Sequence, residues 1–132
     1  MLKRTIIHPA GFAAPRGAYS PGILLEHAGV RTLYATGQLA VDPGGHVIAP
    51  GDATAQTEYV FQLLGEILQA AGMTFAHVVR AQTYLTNIED FPKFSAVRDR
   101  YLGGSLAAST LLEVKGLARP GCCVEIEITA VS

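Results

Sequence analysis

Two carboxylates stand two residues apart in the stretch CCVEIEITAV, residues 122 to 131 of a 132-residue chain. Apolar and small residues surround them. The stretch alternates with period two, so Val124, Ile126, Ile128 and Ala130 share one face. Cys123, Glu125, Glu127, Thr129 and Val131 share the other. The apolar set belongs against a core, which turns both acids away from it. An acid on that second face is solvated, paired with a cation, or held in a partly buried pocket. In a pocket, desolvation raises its pKa and fits it to act as a base or to orient a water.

Other reactive side chains give weaker signals. Cys122 and Cys123 are neighbours, point to opposite faces of a strand and bridge only with strain. They read as small buried hydrophobes in a reducing compartment, with a nucleophilic role for Cys123 left open. His8, His27, His46 and His77 are scattered without metal-ligand spacing. Ser109 has no His and Asp arrangement near it in sequence. DPGG, residues 42 to 45, is a turn and not a phosphate loop.

The elements that must position the acids follow from periodicity. The first twenty or so residues read as an extended arm ending in RGAYSPG. ILLEHA and VRTLYATGQLAV read as strands, and HVIAPGD as a short extended piece. TAQTEYVFQLLGEILQAAG is a helix, capped by Asp52 or Thr54, with Val60, Leu63, Leu64, Ile67, Leu68 and Ala71 inward and Gly72 as its stop. VVRAQTYLTN is a strand. IEDFPKFSAVRDRYLGG is a second helix, with Asp90 as cap and Phe91, Phe94, Val97, Tyr101 and Leu102 inward; Arg98 and Arg100 on it are expected in solvent. STLLEVKGL and CCVEIEITAV close the chain as strands. Two helices cannot cover both faces of such a sheet. An α+β two-layer sandwich results, as one domain over residues 1–132, with the second sheet face left for another subunit.

Composition limits the partners. Hydrophobic residues make up 49% and charged residues 16%, with net charge -1. No basic stripe marks a nucleic-acid binder, and no apolar run approaches the ~18 residues of a membrane span. The N-terminal sequence lacks a signal-peptide apolar region. The expectation is a cytoplasmic protein with neither nucleic-acid nor membrane partners.

The segments RGAYSPG, LYATGQLAVD, AASTLLEV and VEIEITAV, in this order, resemble the RidA/YjgF family, also called L-PSP endoribonuclease or translation inhibitor. The resemblance covers nearly the whole chain. It implies a chorismate-mutase-like two-layer sandwich, with a mixed sheet and two helices on one face. It also implies a homotrimer with small-molecule clefts between subunits, and hydrolysis of enamines and imines such as 2-aminoacrylate to ketoacids and ammonia. Neither a metal nor an organic cofactor is implied. Residue by residue, Glu125 matches the acid that holds the attacking water. Tyr19 matches the cleft tyrosine, although Ala18 replaces the proline before it. Thr36 and Gly37 match a Ser-Gly pair, and Gly37 lets a ligand approach the backbone.

Two departures accompany these matches. The arginine that grips the substrate carboxylate is replaced, at Leu106-Ala107-Ala108-Ser109-Thr110, by Ala108. The helix asparagine is Ser95, and the link KGLARPG is longer than in typical deaminases. Ser109 and Thr110 remain candidates for the cleft, with backbone groups near residue 110 able to stabilise developing charge. Arg119, in the lengthened link, is the nearest cation in sequence to take over the carboxylate, against its reading as a solvated loop residue. Three functions compete: an imine or enamine hydrolase, a non-catalytic small-molecule binder on the same scaffold, and a ribonuclease, which the charge balance disfavours.

Overall fold

A computed structural model describes residues 1–132. The elements run β1 (Lys3–Ile7), β2 (Gly22–His27), β3 (Val30–Leu39), α1 (Ala53–Ala70), β4 (Val78–Leu85), α2 (Phe91–Leu102), β5 (Ala108–Glu113) and β6 (Val124–Val131). Single 3-10 turns at Phe75–His77 and Ile88–Asp90 lead into β4 and α2.

Helix α1 begins where the sequence places its cap. The Asp52 carboxylate accepts from Ala55 N–H at 3.0 Å, satisfying a donor the helix cannot use. It ends where Gly72 adopts φ +70, with Gly72 and Met73 N–H donating back to Gln69 and Leu68 carbonyls. Its inner stripe of Val60, Phe61, Leu64, Ile67 and Leu68 is fully buried. Each large side chain so buried contributes about 2 kcal/mol relative to exposure.

Helix α2 departs from its expected inner face. Phe94, Val97 and Leu102 are buried, but Phe91 is exposed. Tyr101 packs inward as expected, stacking on Phe61 with centroids 4.8 Å apart, and its hydroxyl donates to Glu58 of α1. Asp90 stands at the N-cap without a side-chain bond there, while Asn87 caps the preceding turn. The two helix arginines are not simply solvated. Arg98 lies over Phe94 at 5.6 Å and bonds Ser95 and Asp99, and Arg100 pairs with Glu58.

The sheet order is β1-β2-β3-β6-β4-β5. Every pair is antiparallel except β4 and β5, which are parallel. A parallel pair needs a crossover, and α2 supplies it. The sheet is therefore mixed, with both helices against one face, and the architecture is the α+β sandwich expected.

Strand β6 is central. Val124, Ile126, Ile128 and Ala130 face the helices and are at most 3% exposed. Glu125, Glu127, Thr129 and Val131 alternate with them as half-buried residues of the outer face. Two expectations need correction. The N-terminal arm is not wholly irregular, because Lys3–Ile7 pairs with β2 as an edge strand and buries Ile7. Cys123 does not share the acids' face. The strand starts at Val124, and the Cys123 thiol lies 3.2 Å from Gln56 of α1, on the helix side.

Candidate functional site

The site grows from an irregularity in β3. Ala35 pairs with Ile128 and Gln38 with Ile126, so three steps along β3 match two along β6. The extra residue falls at Thr36-Gly37. Such bulges bend a strand and re-aim its side chains. The Thr36 hydroxyl donates to the Ser20 carbonyl at 2.5 Å, and Thr36 N–H donates to Pro21 at 2.9 Å. These bonds hold the arm that carries Tyr19, so the hydroxyl is committed to the scaffold and the bulge positions the tyrosine.

Gly37 does what a glycine is needed for. A Cβ on it would stand 2.5 Å from Glu125 Oε2, closer than any side chain tolerates. The carboxylate lies against the bare backbone. Burial first, and the neighbouring Glu127 charge second, push the Glu125 pKa above the usual carboxylate range. Glu127 is tied down by Tyr84, whose hydroxyl donates to it at 2.9 Å. The two acids of one strand face thus differ: Glu127 is hydrogen-bonded by Tyr84, while Glu125 is half-buried against Gly37.

Gly37 also lines a cavity of about 510 Å³, together with Tyr19, Thr36, Arg16, Asp42 and Arg119; Glu125 touches Gly37 but does not itself line this cavity. The expected loop arginine is therefore not simply solvated. Arg119 Nη2 donates to the Gly45 carbonyl at 2.6 Å, which brings the link between β5 and β6 onto the DPGG turn. Hydrogen bonding from His46 N–H holds the Asp42 carboxyl below its ordinary range.

Sequence reasoning passed over Gln56. It is fully buried in α1. Its amide donates to the carbonyls of Ile48, Ala49 and Gly121, and its oxygen accepts from Cys123 N–H at 2.8 Å. One side chain thereby fastens the link that carries Arg119 to the first helix. A glutamine one turn into a helix, before an apolar stripe, was the available signal. Arg16 was also passed over, although it stands within the quoted RGAYSPG. Burial raises the Cys123 thiol to about 11, so it stays protonated at neutral pH and is no nucleophile.

Tyr19, Thr36, Gly37 and Arg119 thus come together around one cavity, with Glu125 against its Gly37 wall. Ala108, Ser109 and Thr110 do not join them within the chain. They lie on edge strand β5, separated from β3 by β4 and β6. The parallel register sets Ala108 beside Arg80 and Thr110 beside Gln82, on the face of the acids, while Ser109 sits beside core residue Ala81. The chain holds no group of three or more His, Cys, Asp or Glu arranged as metal ligands. None of its helices is long and apolar enough to cross a membrane.

A mixed six-stranded sheet on two helices, with a bulge that sets Gly37 against a half-buried glutamate, defines an α+β two-layer sandwich. The family model described as Endoribonuclease L-PSP matches residues 11–132, and the chain belongs to this family, the RidA/YjgF proteins. It is 37% identical over 130 residues to a 2-iminobutanoate/2-iminopropanoate deaminase of Capra hircus, covering 98% of this chain and 91% of that protein. Protein DfrA of Myxococcus xanthus is 36% identical over 131 residues, with 99% and 98% covered. Among solved structures, RidA from an Antarctic Psychrobacter superposes with a TM-score of 0.82 at 29% identity, covering 96% of this chain and 98% of that one.

Proposed function

We propose that this protein hydrolyses reactive imines or enamines, or closely related small metabolites, at sites built around Glu125. The observation that carries the reading is the half-buried Glu125 carboxylate, seated against Gly37 beside a cavity of about 510 Å³. The relatives that bear imine-deaminase names support it. A carboxylate raised by burial is a better base near neutral pH than a solvated one. Water held by Glu125 adds its oxygen to the imine carbon and passes a proton to the carboxylate. The carboxylate passes that proton to nitrogen, giving a carbinolamine, and the carbinolamine's hydroxyl proton follows by the same route as the carbon–nitrogen bond breaks and ammonia leaves. Imine and water become a carbonyl compound and ammonia.

We read the complete site as intersubunit, in a homotrimer. Ile6, Tyr34, Val79 and Leu112 are 59%, 50%, 47% and 49% exposed, and such apolar surface favours a second copy. Assembly over this face would bring the β5 edge of a neighbour, with its unpaired backbone groups and residues 108–110, to the cavity. The unpaired thiols of Cys122 and Cys123 fit a reducing, cytoplasmic setting. The net charge of -1 lends no support to RNA as substrate.

A second reading, a ligand-binding protein without turnover, is favoured by Ala108, which supplies no charge where deaminases keep arginine. Generating imines with an amino-acid oxidase and trapping them with semicarbazide separates the two. Hydrolysis predicts that the wild type depletes the trapped product and Glu125→Ala does not. A folded, assembled wild type that leaves the yield unchanged would overturn the hydrolase reading.

A further inference from the structure

The cavity holds two arginines that no acid in the chain pairs with. Arg16 and Arg119 both line it, and both rest on the same residue. Arg119 donates to the Gly45 carbonyl at 2.6 Å. The Arg16 Nη2 lies 3.2 Å from where a Cβ on Gly45 would stand. Gly45 itself takes φ +86, a conformation that suits glycine and keeps the space between the two side chains clear.

Neither arginine enters an ion pair. Arg119 uses one donor on a carbonyl, and Arg16 makes no hydrogen bond within the chain. A guanidinium offers five N–H donors in a rigid fork and stays charged at any working pH. Two of them in a cavity of about 510 Å³, with Asp42 as the one acid among the lining residues, leave a net positive pocket in a chain of net charge -1. Asp42 is already engaged by the His46 N–H at 2.9 Å. Gly37 lines the same cavity, and the Glu125 carboxylate lies against Gly37.

We propose that Arg16 and Arg119, flanking Gly45, form an anion-binding subsite, and that the ligand is a small organic acid held through its carboxylate. The fork geometry favours a planar carboxylate over a point contact. The subsite also gives the ligand a direction, with its anionic end at the arginines and its reactive carbon toward Gly37 and Glu125. This deepens the proposed hydrolysis and rests on it for the reacting end, but the anion subsite stands or falls separately. Arg80, beside Ala108, is another cation on the acids' face. It is engaged with Gln82 at 3.2 Å, on an exposed strand surface rather than in the cavity.

The test uses the intact protein and 2-oxobutanoate, a stable carboxylate probe, measured by calorimetric titration at low salt. The neutral 2-oxobutanamide and inorganic phosphate run beside it. The wild type binds the oxoacid, and the amide binds about tenfold more weakly or not at all. Arg16→Met and Arg119→Met each weaken the oxoacid about tenfold, while Arg80→Met leaves it unchanged. Arg16 has no partner in the fold, so its variant answers the question even if Arg119→Met loosens the link. Equal affinity for acid and amide, or loss in Arg80→Met with none in Arg16→Met, overturns the subsite. Phosphate binding as tightly as the oxoacid overturns the ligand class. In the imine assay, turnover that survives both arginine variants sinks this inference and spares the hydrolase. Oxoacid binding that needs both arginines, without any turnover, does the reverse.

Discussion

Glu125 is defined by what surrounds it rather than by its type. Its folded pKa lies above the ordinary value of 4.5, so the folded state holds that proton more tightly than the unfolded chain does. The stabilising contribution is complete below about pH 4.5 and is lost as pH rises through the folded value. Glu125→Gln keeps the shape and removes the titration. Its melting temperature should therefore gain on the wild type between about pH 4 and pH 7, as scanning calorimetry would read. The same substitution should lower kcat/KM by about 10²-fold or more, and wild-type kcat/KM should rise with pH through the raised value. A flat profile would place the base elsewhere. Gly37 gives a second residue-scale prediction. The atom met by a Cβ at 2.5 Å is the mobile end of Glu125, so Gly37→Ala displaces the carboxylate without breaking the fold. Turnover should fall about 10²-fold, the cost of misplacing a catalytic group by about 1 Å, while circular dichroism melts stay near wild type. An active Gly37→Ala would mean that Glu125 need not sit there.

At the scale of elements, one polar side chain secures the link between β5 and β6. Gln56 is fully buried and serves Ile48, Ala49, Gly121 and Cys123. Gln56→Leu leaves buried donors and acceptors unpaired and should cost about 3 kcal/mol. Urea unfolding measures this, and a shift below about 0.5 kcal/mol would mean that water or a rearranged link replaces the bonds. The same elements show what a sequence can carry. Strand β6 and helix α1 were legible because their signals are local: alternation about Glu125 and Glu127, and a stripe between Asp52 and Gly72. Strand β1 was not, since five residues offer too little periodicity and the pairing partner, β2, begins fifteen positions after β1 ends. Cys123 was assigned to the wrong face because its direction depends on Gln56, 67 positions away. The bulge at Thr36-Gly37 and the convergence of Arg16 and Arg119 on Gly45 are likewise non-local, and the Arg119 contact spans 74 positions.

Over the whole molecule the sheet has one covered face and one open face. Cross-strand register lines Ile6, Ile23, Tyr34 and Thr129 into a row on the open side. Tyr34, at the middle of the sheet, is 50% exposed, and Ile6 is 59% exposed. Apolar side chains standing in water over the same face as two half-buried acids are a poor solution for a monomer. A second consequence follows for the chemistry. Glu125 is only partly desolvated within one chain, and a neighbour laid over this face would desolvate it further and raise its pKa again. Tyr34→Glu separates assembly from folding. An exposed position tolerates the charge within the chain, with a change of about 0.5 kcal/mol or less, but symmetric copies would oppose glutamates at the contact. Light scattering should find the variant at the 13.9 kDa mass of one chain and the wild type at three times that mass. On the proposed intersubunit site, imine hydrolysis should fall with the assembly, because a neighbour's residues 108–110 would no longer be brought to Glu125. A Tyr34→Glu variant that keeps the wild-type mass would show that the open face is not the contact. One that becomes a monomer yet keeps full turnover would confine the site to a single chain, with β5 no part of it.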